Sequence, residues 1–208
     1  MRWRAAEALG KFGGEQAIPG LIRALEDEDR DVRWRAAEAL RKLGGEQAIP
    51  GLIRALEDED RDVRRSAVEA LGRLDSEQVI PGLIQALEDA DWNVRWRAAE
   101  VLSKLDVDQT IPGLIQALED ADRHVRRSAA EALGKLGGKQ AIAGLIQALE
   151  NADEYVRWRA AVALEKLGSE QTIPNLIQAL EDTDWNVRWR ATKALGKLGQ
   201  PRSLPKLQ

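Results

Sequence analysis

Arginine occupies one position of this chain seven times, at Arg2, Arg33, Arg64, Arg95, Arg126, Arg157 and Arg188. Aspartate occupies another six times, at Asp29, Asp60, Asp91, Asp122, Asp153 and Asp184. A guanidinium is a permanently charged planar fork of N–H donors that matches a carboxylate bidentately. Such a series could hold external anions, or it could tie the chain to itself. Recurrence in every copy favours the second reading, because a binding residue need not recur whereas a stacking residue must.

A second series is aromatic. Trp34 with Arg35, Trp92 with Asn93, Trp96 with Arg97 and Glu100, Tyr155, Trp158 with Arg159, Trp185 and Trp189 mark one variable stripe. Arg127 stands where another copy has Trp96. Trp and Arg dominate binding hot spots, and Trp92/Trp96 and Trp185/Trp189 are i, i+4 neighbours on a helix. This stripe reads as a partner-binding face, as Trp–Arg stacks that cover a thin core by cation–π contact, or as residues carried along by duplication. The first two are compatible.

Residues for catalysis are missing. His124 is the sole histidine and there is no cysteine, which removes His-pair and thiolate metal sites, disulfides and thiol chemistry. Acid pairs such as Glu26-Asp27 and Glu119-Asp120 recur in nearly every copy and read as solvated turn residues. General acid–base work needs one carboxyl in a desolvated site. The serines have no histidine partner, and Gly-Gly at 13–14, 44–45 and 137–138 is turn chemistry rather than a phosphate loop. The expectation is a non-enzyme with no cofactor and no metal.

The elements that position these residues come from one 31-residue unit. Copies open at Met1, Val32, Val63, Val94, Val125, Val156 and Val187, and the last is incomplete. The first two copies differ only at Met1/Val32, Gly10/Arg41 and Phe12/Leu43. Strict self-similarity at this period indicates a stacked repeat array. In the copy from Val94, apolar Val94, Ala98, Val101, Leu102 and Leu105 mark one helix, B, and Ile111, Leu114, Ile115 and Leu118 mark a second, A. Asp122 is placed to cap the next B helix. Pro112 falls in the first turn of A, where a missing N–H costs little. Gly-Gly or Asp-Ser suits the B-to-A reversal. The alanines from Ala5 to Ala191 let adjacent B helices approach. The leucines from Leu9 to Leu195 form a core ladder. At ~8–10 Å per packed helix the array predicts a slightly curved rod on the order of 60 Å.

Helix pairs joined as Leu118-Glu119-Asp120-Ala121-Asp122-(x-x)-Val125-Arg126, with Pro opening A, resemble HEAT repeats. The short unit with Ala-Ala-Glu-Ala-Leu-Gly-Lys-Leu-Gly looks like the form found in phycobilisome lyases and in artificial HEAT-like binders. The resemblance implies an all-α solenoid of antiparallel helix pairs over 1–208. It also implies that the Arg and Asp series pair along and between units, and that B helices line a concave side carrying the variable stripe.

The net charge of −4 gives no global pull toward nucleic acid or an anionic membrane. No apolar run approaches the ~20 residues of a membrane span. No signal-peptide pattern opens the chain, and a cytoplasmic location is expected. The chain starts inside a B helix and stops as an A helix should begin. It therefore reads as a fragment or an engineered array, with uncapped apolar ends that favour self-association. The leading function is a scaffold that binds a protein of unknown identity. An alternative is a lyase-like subunit that handles a bilin. A third is nucleic-acid binding, which the stripe's own acids, Asp31, Asp62, Glu100, Glu131 and Glu154, argue against.

Overall fold

The computed structural model describes residues 1–74, 76–105 and 108–199. Asp75, half of the expected Asp-Ser turn, and the Leu207-Gln208 end lie outside them. Among the described residues there are thirteen α-helices and no strand. The B helices are α1 (Arg2–Phe12), α3 (Arg30–Leu43), α5 (Arg61–Leu71), α7 (Trp92–Leu102), α9 (Arg123–Leu136), α11 (Glu154–Leu167) and α13 (Trp185–Leu198). The A helices are α2 (Ile18–Ala24), α4 (Ile49–Ala55), α6 (Ile80–Gln85), α8 (Ile111–Gln116), α10 (Gly138–Ala148) and α12 (Ile173–Gln178). The chain forms two compact units; the first, Met1–Leu105, holds α1–α7 and the second holds α8–α13. Within each, the helices stack as an all-α solenoid.

In the first unit α1, α3, α5 and α7 pack in sequence, and α2, α4 and α6 each pack on the B helix that follows. In the second, α9, α11 and α13 pack in sequence against α8, α10 and α12. The small residues allow this: Ala36, Ala67, Ala98, Ala129, Ala160 and Ala191 are fully buried. Leu40, Leu71, Leu102, Leu133 and Leu164 lie beside them with at most 1% exposed. Leu9 and Leu195, on the outermost B helices of the chain, are less covered. Short helices of this kind are marginal alone, so this burial is what holds them.

The start of helix A has a local cause. Pro19, Pro50, Pro81, Pro112 and Pro174 have no N–H to donate four residues back. The residues before them therefore form one 3₁₀ turn, as at Glu15–Ala17 and Glu46–Ala48, before the α-helix begins. The fifth copy has Ala143 in place of proline. Its backbone donor is restored, and α10 runs unbroken over Gly138–Ala148. The Gly-Gly reversal has two forms. Gly44, Gly45, Gly137 and Gly138 take φ between 67° and 94°, where glycine alone is unstrained. Gly13 and Gly14 stay at negative φ.

Candidate partner-binding face and the arginine ladder

Each B helix from α3 onward opens on a capping aspartate. Asp60 accepts from the N–H groups of Asp62 and Val63, and Asp184 accepts from Asn186 and Val187. This commits one carboxylate oxygen to the first helical turn. The other is free for an arginine, and at Asp60 and Asp91 it takes one. Arg30 Nη1 donates to Asp60 Oδ2 at 3.3 Å, and Arg61 Nη1 to Asp91 Oδ2 at 3.2 Å.

The recurring arginine of the sequence pattern does something else. The resemblance pairs it with the capping aspartate; in the first unit it pairs with the carboxylate two residues earlier. Arg33 donates through Nε and Nη2 to Asp58 at 2.7 and 3.1 Å and again to Glu59 at 3.1 Å. Its Nη1 meets the carbonyls of Asp27 and Glu28 at 2.9 and 3.1 Å. Arg64 repeats this with Asp89 and the carbonyls of Asp58 and Glu59, and Arg157 with Asp182 and the carbonyls of Asn151 and Ala152. Arg95 and Arg188 make the same carbonyl contacts. Arg33 is buried with every donor directed at protein, which leaves it none for an external anion.

The fifth copy breaks the ladder. Asn151 stands where Asp58, Asp89 and Asp182 stand elsewhere, and its amide donates to Leu118 O. Arg126 turns to Asp153, the cap itself, through Nη2, and its buried Nε has no hydrogen-bond partner. The sequence reading did not single out Asp58, Asp89 or Asp182. Two to four acids crowd each A-to-B turn, and only geometry shows which one reaches an arginine 25 residues earlier.

Four carboxyls of the A-to-B turns, Asp60, Asp91, Asp153 and Asp182, titrate low. Burial works to raise Asp182, and the Arg157 guanidinium and the Asp184 N–H outweigh it, so it ends below the usual carboxylate range. Asp60, Asp91 and Asp153 follow the same balance, each with an arginine and backbone donors. A depressed folded value adds stability above the unfolded carboxylate pKa and loses it as pH falls through the folded value. Thermal melts followed by circular dichroism should thus show a level midpoint from neutral pH to about 5 and a decline below about 4. Asp182→Asn should flatten that decline.

On the variable stripe, guanidinium groups lie over indoles. Arg35 sits 4.3 Å from the Trp34 ring and 5.9 Å from Trp3. Arg97 sits 4.6 Å from Trp96. Arg159 and Arg190 sit 4.6 and 5.9 Å from Trp158, and Arg190 is also 4.6 Å from Trp189. An arginine from one copy thus bridges the indoles of two. Acids hold the far side of these cations: Arg97 meets Glu69 at 3.0 Å and Glu100 at 2.6 Å, and Glu100 also meets Lys104.

Glu165 was not anticipated. It is 6% exposed and meets Lys197, Arg190 and Lys193 at 2.6, 3.1 and 3.5 Å. Burial works to raise its carboxyl, and Lys197 and Arg190 hold it below the usual range. Its signal was present in the sequence: Gly10, Gly72, Gly134 and Gly196 occupy the same position in other copies.

The stripe therefore divides. Trp34, Trp96 and Trp158, with their arginines, are half-buried. Trp92, Trp185, Trp189 and Tyr155 are outermost, at 40%, 62%, 44% and 53% exposed. Asn93 is half-buried, its N–H bonded to Asp91, and Arg127 is exposed. Among the described residues no cluster of three or more metal-ligating side chains occurs, and no helix is long and apolar enough to cross a membrane.

A family model for HEAT repeats matches residues 1–72, 20–89, 49–121, 80–151 and 142–208. The chain belongs to the HEAT-repeat family. Among solved structures, this HEAT-repeat chain is similar to one of the complex of CpcE and CpcF of phycocyanin lyase from Nostoc sp. PCC7120. That match has 31% identity and a TM-score of 0.61, over 88% of this chain and 77% of the other. A designed armadillo repeat protein in complex with the peptide (KR)4 matches at 19% identity and TM-score 0.61, over 87% and 99% of the two chains. An engineered protein matches at 23% identity and TM-score 0.58, over 87% and 96%. The last two bear on the fold alone. No curated protein sequence matches at the same stringency.

Proposed function

We propose that this HEAT-repeat chain is a non-catalytic scaffold whose partner is a protein that docks on the Trp/Arg stripe of the B helices. The observation that carries the reading is exposed aromatic area: Trp185, Tyr155, Trp189 and Trp92 keep 40–62% of their surface in water. Leaving apolar area in water costs about 25 cal/mol per Å². Trp34, Trp96 and Trp158 lie beside arginines and are half-buried, so the more exposed rings mark the place a partner would cover. The arginine ladder, with Asp29, Asp122 and the other caps, is proposed as structural. The relative at 31% identity is itself a complex of two proteins, which agrees with this reading.

The test compares capture of a partner by the wild-type chain and by a Trp185→Ala/Trp189→Ala variant, with Arg33→Ala as a control. The stripe variant should keep its thermal midpoint and lose the partner, while Arg33→Ala should lose midpoint and keep the partner. Retention by the stripe variant at wild-type strength sinks the proposal. A second reading, a lyase-like subunit that handles a bilin, draws on the same relative. It predicts a shifted absorbance band when phycocyanobilin is added, and an unchanged spectrum removes it.

A further inference from the structure

In the first unit Asp60 and Asp91 each take a guanidinium from the first residue of the preceding B helix. Arg30 serves Asp60 and Arg61 serves Asp91. In the second unit the same register places Glu154 opposite Asp184. A carboxylate now stands where the first unit has Arg30 and Arg61. Asp184 Oδ1 caps α13 through the N–H groups of Asn186 and Val187, as Asp60 Oδ1 caps α5.

The space beside this reversed pair is a pocket of about 210 Å³ lined by Glu154, Tyr155, Trp158, Asp184 and Asn186. Its aromatic wall is a T-shaped pair, Tyr155 and Trp158, with centroids 5.4 Å apart and planes at 69°. Trp158 already carries Arg159 and Arg190, so Tyr155, 53% exposed, offers the most open ring area. Two carboxylates and aromatic faces together select an organic cation, and arginine suits both because its planar fork matches a carboxylate and stacks on a ring.

We propose that this pocket binds an arginine side chain of a partner polypeptide, which supplies from outside the guanidinium that Arg30 and Arg61 supply from within. The proposal deepens the scaffold reading and rests on it only for the source of the arginine; the pocket can be tested alone. The probe is the peptide acetyl-Gly-Arg-Gly-amide, with acetyl-Gly-citrulline-Gly-amide as a neutral isostere. Binding is followed by the indole N–H resonance of Trp158 in ¹H–¹⁵N spectra, assigned by its loss in Trp158→Phe.

The arginine peptide should shift that resonance saturably, and the citrulline peptide should bind at least about tenfold more weakly, as loss of a charged partner implies. Glu154→Arg should restore the internal pair, raise the thermal midpoint and abolish the arginine-dependent shift. Equal shifts with both peptides, no shift with either, or undiminished binding by a folded Glu154→Arg variant would each overturn the proposal. The scaffold reading answers to a different result, since Trp185→Ala/Trp189→Ala leaves Glu154, Tyr155, Trp158 and Asp184 in place.

Discussion

Arg33→Ala should lower the stability of the chain by about 3 kcal/mol, the loss typical when one partner of a buried ion pair is removed. The magnitude follows from what is left behind. Side-chain exposure of both Arg33 and Asp58 is 8%, so water reaches the stranded carboxylate poorly. Two carbonyls, of Asp27 and Glu28, also lose their donor. Asp58 keeps the Asp60 N–H at 2.8 Å, which caps the penalty. Chemical denaturation of Arg33→Ala, Asp58→Ala and the double variant should give losses that do not add, with a coupling of about 1–3 kcal/mol. Arg126→Ala should cost less, because Asn151 gives that arginine no bidentate partner. Asn151→Asp should raise the thermal midpoint. If Arg33→Ala leaves stability intact and abolishes partner binding, the ladder is the site and the stripe is not.

Trp158→Ala should cost about 2 kcal/mol, while Trp185→Ala should stay within about 0.5 kcal/mol, the usual range for surface substitutions. Trp158 is half-buried between Tyr155, Arg159 and Arg190, and its removal uncovers all three. Trp185 is 62% exposed and touches chiefly Trp189, stacked at 6.2 Å. The same split should separate Trp34 and Trp96 from Trp92. Equilibrium unfolding of single alanine variants is sufficient to check it. Uniformly large losses across all of these tryptophans would make the stripe structural and leave the binding proposal without its main support.

The helices were legible because the apolar period of the copies is unbroken and each B helix from α3 onward follows an aspartate placed to cap it. The family resemblance was equally legible from the repeat itself. Three features were not. The 3₁₀ lead-in to helix A depends on a missing N–H at Pro19 and its equivalents, and the register of proline in a first turn does not announce it. The choice of Asp58 over Asp60 by Arg33 depends on which carboxylate of the turn the fold brings beside it, while Asp60 meets Arg30. The division of the tryptophans depends on packing around each ring: Trp34 and Trp96 are half-buried beside the arginine that follows them, whereas Trp189 carries Arg190 and is still 44% exposed. Equivalent tryptophans therefore differ in exposure from copy to copy, and a pattern read copy by copy does not contain that.

The ladder bond has a fixed reach: Arg33 to Asp58, Arg64 to Asp89 and Arg157 to Asp182 each span 25 residues, less than one 31-residue unit. Removing or adding a whole unit therefore rejoins an arginine with an equivalent carboxylate and cuts no bond that the new neighbour cannot remake. Removing part of a unit strands both ends. Unequal recombination between near-identical copies would thus yield folded products chiefly when it exchanges whole units. On this view, the length of such an array changes in integer steps, while Asn151 and Glu154 mark a copy whose joint departs from the standard one.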